Sequence, residues 1–136
     1  MKIAIVGTGM IAREALIALR QVGNVEVKTI CARPHSREKA EALAREFGVP
    51  QTVTDYEAML AAHEADVVYL GIVNSAHFSY ARAAIEAGWH VIVEKPFTST
   101  LAEAEELIAR ARAADCYLFE AVTSLFLPNY FGILEA

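Results

Sequence analysis

Short apolar runs alternate along the chain with longer segments in which apolar residues recur every three or four positions. The first run, residues 3–6, leads directly into two closely spaced glycines, and helical spacing begins near Met10. The same succession of apolar run and helical segment continues to residue 121. It predicts six β-strands, at residues 3–6, 25–31, 52–53, 67–73, 90–93 and 117–121.

Capping signals indicate where the helices between these strands begin and end. Ser36 is the predicted N-cap of a helix over residues 36–47, and Gly48 is its predicted stop. Residues 54–57 and 100–103 both have the spacing of a capping box, in which a threonine and a glutamate three residues later cap each other's backbone. The helix after the second box is expected to pack through one face, made of Leu107, Ile108 and Ala111.

Strands that alternate with helices, without repeats or low-complexity linkers, are typical of an α/β domain. We predict a Rossmann-type doubly wound parallel sheet in a three-layer α/β/α arrangement, with right-handed crossovers. The length of 136 residues suits one such domain, and the apolar content of 55% suits strands covered on both faces. Sites in such sheets lie beyond the carboxyl ends of the strands, which would gather residues 7–10, Arg33, 72–74 and 94–96 around one crevice.

The segment after the first predicted strand reads Gly-Thr-Gly-Met-Ile-Ala, residues 7–12. Gly7 allows a tight turn, Gly9 lets a pyrophosphate approach the backbone, and Ala12 allows the helix to pack on the strand. A plain strand-to-helix turn can contain the same glycines. The position between an apolar strand and an amphipathic helix favours dinucleotide binding, with phosphates at the helix N-terminus. The expected cofactor contacts of this loop are Gly7, Thr8, Gly9, Met10 and Ile11.

Charge and cysteine content exclude several classes of partner. The chain has 12 basic and 17 acidic residues and a net charge of −5, so it has no bulk attraction for nucleic acid or an anionic membrane. Cys31 and Cys116 fit neither a metal-ligand spacing nor a redox pair, and we expect no metal site. We interpret them as two buried thiols in a reducing compartment. Together with the lack of a signal peptide or spanning segment, this predicts a cytoplasmic protein.

The predicted second strand ends in Cys-Ala-Arg, where the dinucleotide fingerprint normally has an acidic residue for the adenosine ribose. Arg33 stands at this point, and Arg37 follows one helical turn later. Guanidinium groups bind phosphate through paired, charged hydrogen bonds, so the pattern favours NADP, with its 2′-phosphate, over NAD. The alternative is that the arginines are solvated surface residues, and it has more force for Arg37 because that residue stands in an exposed first turn.

Glu94, Lys95 and Pro96 follow the predicted fifth strand. Neighbouring glutamate and lysine residues are often solvated surface residues without a specific function. This pair, however, stands between an apolar strand and a proline. A flexible ammonium here would point to the nicotinamide end of a cofactor lying along the strand ends. We therefore predict that this pair is functional.

These segments resemble the oxidoreductase family usually written Gfo/Idh/MocA, after glucose-fructose oxidoreductase, inositol dehydrogenase and rhizopine catabolism. The likeness spans essentially the whole chain. The segments that carry it are residues 7–12, Asn74 with His77, residues 88–96, and residues 120–121 with Pro128 further on. The Glu-Lys-Pro element in this position is quite specific. The spacing of the two arginines and residues 119–122 are most similar to the dihydrodiol dehydrogenase and sugar dehydrogenase branch, which uses NADP.

The resemblance implies a role for each residue around the crevice. Lys95 would lie close to the nicotinamide and the reacting carbon as the catalytic residue, favouring deprotonation of a substrate hydroxyl. The other cofactor contacts expected in this region are Ile72, Val73, Asn74, His77, Glu94 and Lys95 itself. An imidazole in the first turn of a helix is equally often a cap or packing residue, so both interpretations of His77 stand. The chain departs from the family at Val73, where many members have proline, and at Leu125, where the branch often has arginine.

Family members continue into a second domain that supplies further catalytic residues and most of the oligomer interface. The resemblance therefore implies a dinucleotide-binding domain at residues 1–122 and, at residues 123–136, the start of a connection to an absent substrate domain. We predict the cofactor-binding half of an oxidoreductase that transfers a hydride between NADP, or NAD, and a sugar, polyol or related alcohol. This half would be inactive alone and could belong to a homo-oligomer.

Two other functional classes compete with this interpretation. A non-catalytic dinucleotide-binding or redox-sensing module would need the glycine loop but not Lys95. A CoA-binding domain of similar fold is disfavoured, because Arg33 and Glu94 would then lack a role.

Overall fold

In a computed structural model, which describes residues 1–126 and residue 130, the chain forms a six-stranded sheet between two layers of helices. The strands are β1 (Lys2–Val6), β2 (Glu26–Cys31), β3 (Gln51–Val53), β4 (Val67–Leu70), β5 (His90–Glu94) and β6 (Leu118–Ala121). The helices are α1 (Met10–Leu19), α2 (Arg37–Phe47), α3 (Tyr56–Ala62), α4 (Asn74–Glu86) and α5 (Leu101–Ala113). Short 3-10 turns, Pro34–Ser36 and Thr123–Phe126, precede α2 and follow β6.

The sheet has the order β3-β2-β1-β4-β5-β6, and each of these pairings is parallel. The chain builds outward from β1 through β2 and β3, then crosses to the other side of β1 and builds β4, β5 and β6. Ile5 in β1 accordingly lies opposite both Ile30 and Tyr69. This confirms the Rossmann-type doubly wound sheet and puts the reversal of strand order between β1 and β4, where such sheets bind ligands.

Successive residues of β1 face opposite sides of the sheet and so contribute to two separate cores. Ala4 and Val6 belong to the core that contains residues of α3, α4 and α5, and Ile3 and Ile5 belong to the core that contains residues of α1 and α2. All four residues of β4 are buried, as expected for a parallel strand covered on both faces. The predicted three-layer α/β/α arrangement is therefore confirmed.

The helix starts confirm one of the two predicted capping boxes. At α5 the Thr100 side chain accepts from the Glu103 amide at 3.3 Å, and the Glu103 carboxylate accepts from the Thr100 amide at 3.1 Å. The predicted box at residues 54–57 is wrong, because the N-cap of α3 is Asp55, which accepts from the Ala58 amide at 2.9 Å. The aspartate reaches the third helical amide directly, so the helix begins without a reciprocal glutamate contact.

The boundaries of α2 and β4 also differ in part from expectation. Gly48 ends α2 in the left-handed conformation, as predicted, but Ser36 occupies the N-cap position without capping through its side chain. Ser36 instead closes the turn Pro34–Ser36, and its amide donates to the Arg33 carbonyl. Strand β4 ends at Leu70 and not at residue 73, because Gly71 makes the last bond to β1 and the chain then turns into α4.

Burial corrects two further expectations. Leu107 and Ala111 are buried on α5, but Ile108 is 41% exposed, because it is rotated away from the buried stripe. Cys31 is buried, whereas Cys116 is half-buried near the start of the edge strand β6, so only one thiol has the predicted burial. Both cysteines are free thiols.

Residues 1–126 and residue 130 lack two features that would indicate a membrane or a metal ion as a partner. No helix there is long and apolar enough to cross a membrane. Nor does that part of the chain contain three clustered histidine, cysteine or carboxylate side chains that could hold a metal ion. Of the predicted connecting segment 123–136, residues 127–129 and 131–136 lie outside the described residues.

Candidate functional site

A cleft of about 540 Å³ opens at the carboxyl end of the sheet, above β1, β2 and β4. Three loops bound it, at residues 7–11 after β1, residues 32–34 after β2 and residues 71–73 after β4. They come from distant parts of the sequence and meet because the carboxyl ends of parallel strands lie at one edge of the sheet. The structure thus brings the glycine loop together with Arg33, Ile72 and Val73.

Gly7 forms the floor of this cleft. Its φ of +121° is disfavoured for other residues, and a Cβ built on it would stand 2.2 Å from the Gly71 carbonyl oxygen. The Gly7 amide donates to the Cys31 carbonyl and the Gly71 amide to the Val6 carbonyl, both at 2.9 Å. Glycine is therefore required at position 7 by the contact between β1 and β4, independently of any ligand.

Gly9 is the N-cap of α1, and the reason for a glycine at this position differs from the reason at position 7. Its φ of −78° is accessible to any residue, and a Cβ built there would meet no atom of the described residues within 4 Å. No side chain caps α1, and its first turn has no acidic residue. The empty space beside Gly9 therefore faces unpaired backbone amides and the positive end of the helix dipole. Such a helix N-terminus can bind a phosphate group, and the pyrophosphate position stays a prediction.

Two cationic side chains line the cleft beside the end of β2. They belong to Arg33 and Lys39, and Ser36 lines the cleft with them. Arg37 lies elsewhere, because its guanidinium pairs with Glu41 at 3.0 Å and borders a separate hollow of about 390 Å³. Ser36 and Lys39 are three residues apart and lie on the same side of the first turn, from which Arg37 is rotated away. This three-residue spacing is a signal in the sequence that could have indicated Lys39.

Two tyrosines that the sequence analysis did not indicate also line the cleft, from α3 and α4. The Tyr56 hydroxyl donates to the Tyr80 carbonyl at 2.9 Å, and the two ring centroids are 4.5 Å apart. Burial raises the pKa of the Tyr56 hydroxyl far above its usual value, so it remains a neutral donor. The contact joins residues 24 positions apart, one in α3 and one in α4, and no local pattern in the sequence indicates it.

Glu94 is buried at the end of β5, where both of its carboxylate oxygens have partners. The Tyr69 hydroxyl donates to one oxygen at 2.5 Å, and the Lys95 amide donates to the other at 3.2 Å. Burial, together with this hydrogen bond to Glu94, raises the pKa of the Tyr69 hydroxyl far above its usual value. The carboxylate of Glu94, an expected cofactor contact, is thus held in place from within the sheet.

Lys95 and Asn74 are exposed, just after β5 and at the start of α4. Neither belongs to the lining of the 540 Å³ cleft, although Asn74 directly follows Val73, which does. Within the described residues the Lys95 ammonium forms no salt bridge with a carboxylate. No carboxylate of the described residues therefore competes with a ligand for this ammonium.

His77 lies beneath the surface, between the loop that precedes Asn74 and the loop that follows Lys95. Its side chain is completely buried in the first turn of α4. Nδ1 lies 2.9 Å from the Pro96 carbonyl oxygen, and Nε2 lies 3.2 Å from the Ile72 carbonyl oxygen. His77 thus contacts the backbone of two loops and does not line the cleft, an arrangement closer to the packing interpretation than to direct cofactor contact.

A doubly wound parallel sheet with a glycine floor and an uncapped helix N-terminus in its cleft defines a Rossmann domain of the dinucleotide-binding class. A family profile agrees with this class: it is described as the oxidoreductase family with an NAD-binding Rossmann fold, GFO_IDH_MocA, and it matches residues 1–122. The chain belongs to this family, which is the Gfo/Idh/MocA family that the sequence motifs resemble.

Individual relatives agree with the family. The chain is 35% identical over 135 residues to the uncharacterized oxidoreductase YgjR of Escherichia coli, matching 99% of this chain and 40% of YgjR. It is 34% identical over 128 residues to the D-xylose 1-dehydrogenase (NADP(+)) 2 of Haloferax volcanii, matching 94% of this chain and 39% of that enzyme. The chain therefore spans about two-fifths of the length of these curated relatives.

A solved structure has the same fold over nearly the whole chain. It is a 3-ketoreductase from Actinomadura kijaniata in complex with NADP and TDP-benzene, which is 30% identical to this chain. The TM-score is 0.92, and the match covers 99% of this chain and 41% of the ketoreductase.

Proposed function

We propose that the chain is the NADP-binding half of an oxidoreductase that transfers a hydride between its cofactor and a sugar, polyol or related alcohol. The observation that carries the proposal is the composition of the cleft, an uncapped helix N-terminus with Arg33 and Lys39 nearby. Backbone amides suit a pyrophosphate, and the two cations suit a phosphate on the adenosine ribose. Relatives named as an NADP-linked sugar dehydrogenase and a ketoreductase support the same cofactor and substrate class.

Each part of NADP would have its own contacts. The loop 7–11 would hold the pyrophosphate, with the open space at Gly9 admitting it close to the backbone. Arg33 would bind the 2′-phosphate through its guanidinium fork, and Ser36 and Lys39 would complete that site with a hydroxyl and a point charge. Ile72 and Val73 would extend the site from the phosphates toward the Lys95 side of the sheet.

The proposed reaction needs a group that holds the substrate oxygen near the nicotinamide, which supplies or accepts the hydride when bound. Lys95 lies just beyond the end of β5, and its ammonium has no salt bridge with the described carboxylates. Beside a substrate hydroxyl, that positive charge stabilises the developing alkoxide and so favours loss of the proton. Glu94 would border the nicotinamide ribose in the position set by Tyr69.

Arg33→Ala tests the cofactor assignment. We expect the wild-type chain to bind NADPH more tightly than NADH, because only NADPH offers a phosphate to Arg33. Loss of the charged contact should weaken NADPH binding by about ten- to a hundredfold and leave NADH binding nearly unchanged. Isothermal titration calorimetry of both cofactors measures the two effects.

Two further variants serve as controls for Arg33→Ala. Arg45→Ala removes an exposed arginine from the last turn of α2, away from the cleft, and should change neither affinity. Arg37→Ala should also have little effect, because Arg37 pairs with Glu41 outside the cleft. Equal binding of NADPH and NADH by the wild-type chain would refute the preference for NADP.

Lys95→Met tests hydride transfer in the whole protein. We expect NADPH affinity to stay within about threefold, because the phosphates bind elsewhere, while kcat falls by at least about a hundredfold through loss of the acid-base group. NADP reduction is followed with a panel of sugars and polyols, and Lys28→Met, at a lysine of β2 outside the cleft, is the control. Normal turnover by Lys95→Met would remove Lys95 from the reaction, and a wild-type protein that binds NADPH without turnover would favour the non-catalytic module.

A further inference from the structure

The loop that contains Lys95 lies just beyond the last hydrogen-bonded residue of β5. The register of β5 with β6 ends at Glu94, so the sheet does not hold the residues that follow. Pro96 has no amide hydrogen, and the Phe97 amide donates to the Glu120 carboxylate at 2.8 Å. Side chains from outside the loop, and not a strand ladder, therefore determine where this backbone lies.

His77 is a buried side chain of α4 that also reaches this loop. Its ring lies within hydrogen-bond distance of the Pro96 carbonyl, next to Lys95, and of the Ile72 carbonyl in the loop that lines the cleft. We propose that His77 is a positioning residue that fixes the separation between the cleft loop after β4 and the loop that carries Lys95. The proposal rests on the proposed function, because these two loops would lie on either side of the nicotinamide.

The chemistry of the contact explains why the residue is a histidine. A carbonyl oxygen only accepts hydrogen bonds, so each of the two contacts requires an N–H on the ring. A singly protonated ring satisfies one carbonyl, and a doubly protonated ring satisfies both. An apolar side chain could fill the same volume, but it would leave the two partly buried carbonyls without this donor, which is unfavourable.

The distribution of buried polar residues supports a specific role for this region. Among the described residues, the buried polar or charged side chains are those of Thr29, His77 and Glu94. Two of these three contact the backbone on either side of the Lys95 side chain, Glu94 through the Lys95 amide and His77 through the Pro96 carbonyl. Buried polarity is therefore concentrated where the position of one exposed ammonium is determined.

The binding of two ligands distinguishes a positioning role of His77 from a general contribution to the stability of the fold. NADPH contains the nicotinamide, whereas 2′-phospho-ADP-ribose has the same phosphates and adenosine but lacks the nicotinamide. We expect His77→Phe to weaken NADPH binding by about tenfold and to leave 2′-phospho-ADP-ribose binding within about twofold, as measured by calorimetry. Ile85→Val, a substitution in the buried face of the same helix, is the matched control and should not discriminate between the ligands.

Equal weakening of both ligands, or unchanged binding of both, would overturn the proposal. His77→Asn retains an amide donor close to the position of Nδ1 and should recover most of the NADPH affinity. If His77→Phe does not fold, His77→Asn and His77→Gln replace it in the comparison of the two ligands, because each keeps an amide donor.

Hydrogen exchange tests the positioning role without any ligand. Substitution of His77 by phenylalanine or glutamine should accelerate amide exchange selectively in residues 71–74 and 95–98, with α2 unchanged, and uniform acceleration would contradict the proposal. If the wild-type chain binds no NADPH, the proposed function fails, while this exchange pattern still decides whether His77 fixes the two loops.

Discussion

Cys31 lies at the carboxyl end of β2, where it is buried in the core and also borders the cleft. Burial, with a smaller contribution from the negative charge of Asp55, raises the pKa of its thiol from 9.0 to about 11. Reactive cysteines have lowered pKa values, because the thiolate is the nucleophile. Cys31 therefore has the properties of a packing residue, as its interpretation from sequence proposed.

The raised pKa of Cys31 predicts a loss of stability in alkaline solution. The unfolded chain releases this proton near pH 9 and the folded chain only near pH 11, so the contribution is complete below pH 9 and disappears as the pH rises through 11. We expect the free energy of unfolding to fall by about 2 kcal/mol from this residue between about pH 8 and about pH 10.5. Urea unfolding over this range measures it.

Comparison with two variants separates the thiol from the buried tyrosines, whose contribution to stability falls mainly above the unfolded tyrosine pKa of 10.0. Cys31→Ala should reduce the slope of the stability profile between pH 9 and 10, whereas Cys116→Ala, at a half-buried position, should keep most of the slope. An identical slope in wild type and Cys31→Ala would show that Cys31 ionises equally in the folded and unfolded chains.

The positions of the glycine loop and of the arginine after β2 at the cleft were predictable, because they depend on where two strands end, which is a local property. Gly7 and Gly9 occupy the places that the motif predicts. The choice among Arg33, Arg37 and Lys39 depended instead on which side of the first turn of α2 faces the cleft. That orientation follows from the turn Pro34–Ser36, which the sequence analysis did not include.

At the scale of elements, apolar runs predicted all six strands, and the pattern is clearest for β1 and β4, which are buried between the helix layers. Boundaries were less reliable where two capping residues compete, as at Asp55, or where tertiary contacts end a strand, as at Gly71. The Tyr69–Glu94 hydrogen bond joins residues 25 positions apart in β4 and β5, and it depends on the register of these strands. No local pattern in the sequence indicates that register.

At the scale of the whole molecule, the edge strand β6 leaves apolar side chains uncovered within the described structure. Phe119 is 57% exposed, and Tyr117 and Phe126, which flank the strand, are 66% and 78% exposed. The rings of Tyr117 and Phe119 stack at 6.1 Å between centroids. An exposed strand edge with aromatic side chains favours association with another surface.

We therefore expect the 136-residue chain to self-associate as its concentration rises. Sedimentation velocity should show an average mass that increases with concentration, and Phe119→Glu should shift the chain toward monomer by placing a charge in the contact. Val22→Glu introduces the same charge at another exposed apolar position, after α1, and should leave the association unchanged. A single monomeric species at high concentration would rule out this contact.

The order of the sheet has a consequence for how such a protein can diverge. Strands β1 to β3 and their loops form one side of the cleft, and strands β4 to β6 carry the loops around Lys95, so the two sides are consecutive stretches of sequence. Under the proposed function, the first stretch selects the cofactor and the second arranges the chemistry. Selection can then change the cofactor preference through the first stretch while the residues of the second stretch stay the same. A chimera that takes residues 1–62 from an NAD-preferring relative should acquire that preference in calorimetry while His77, Glu94 and Lys95 remain as they are.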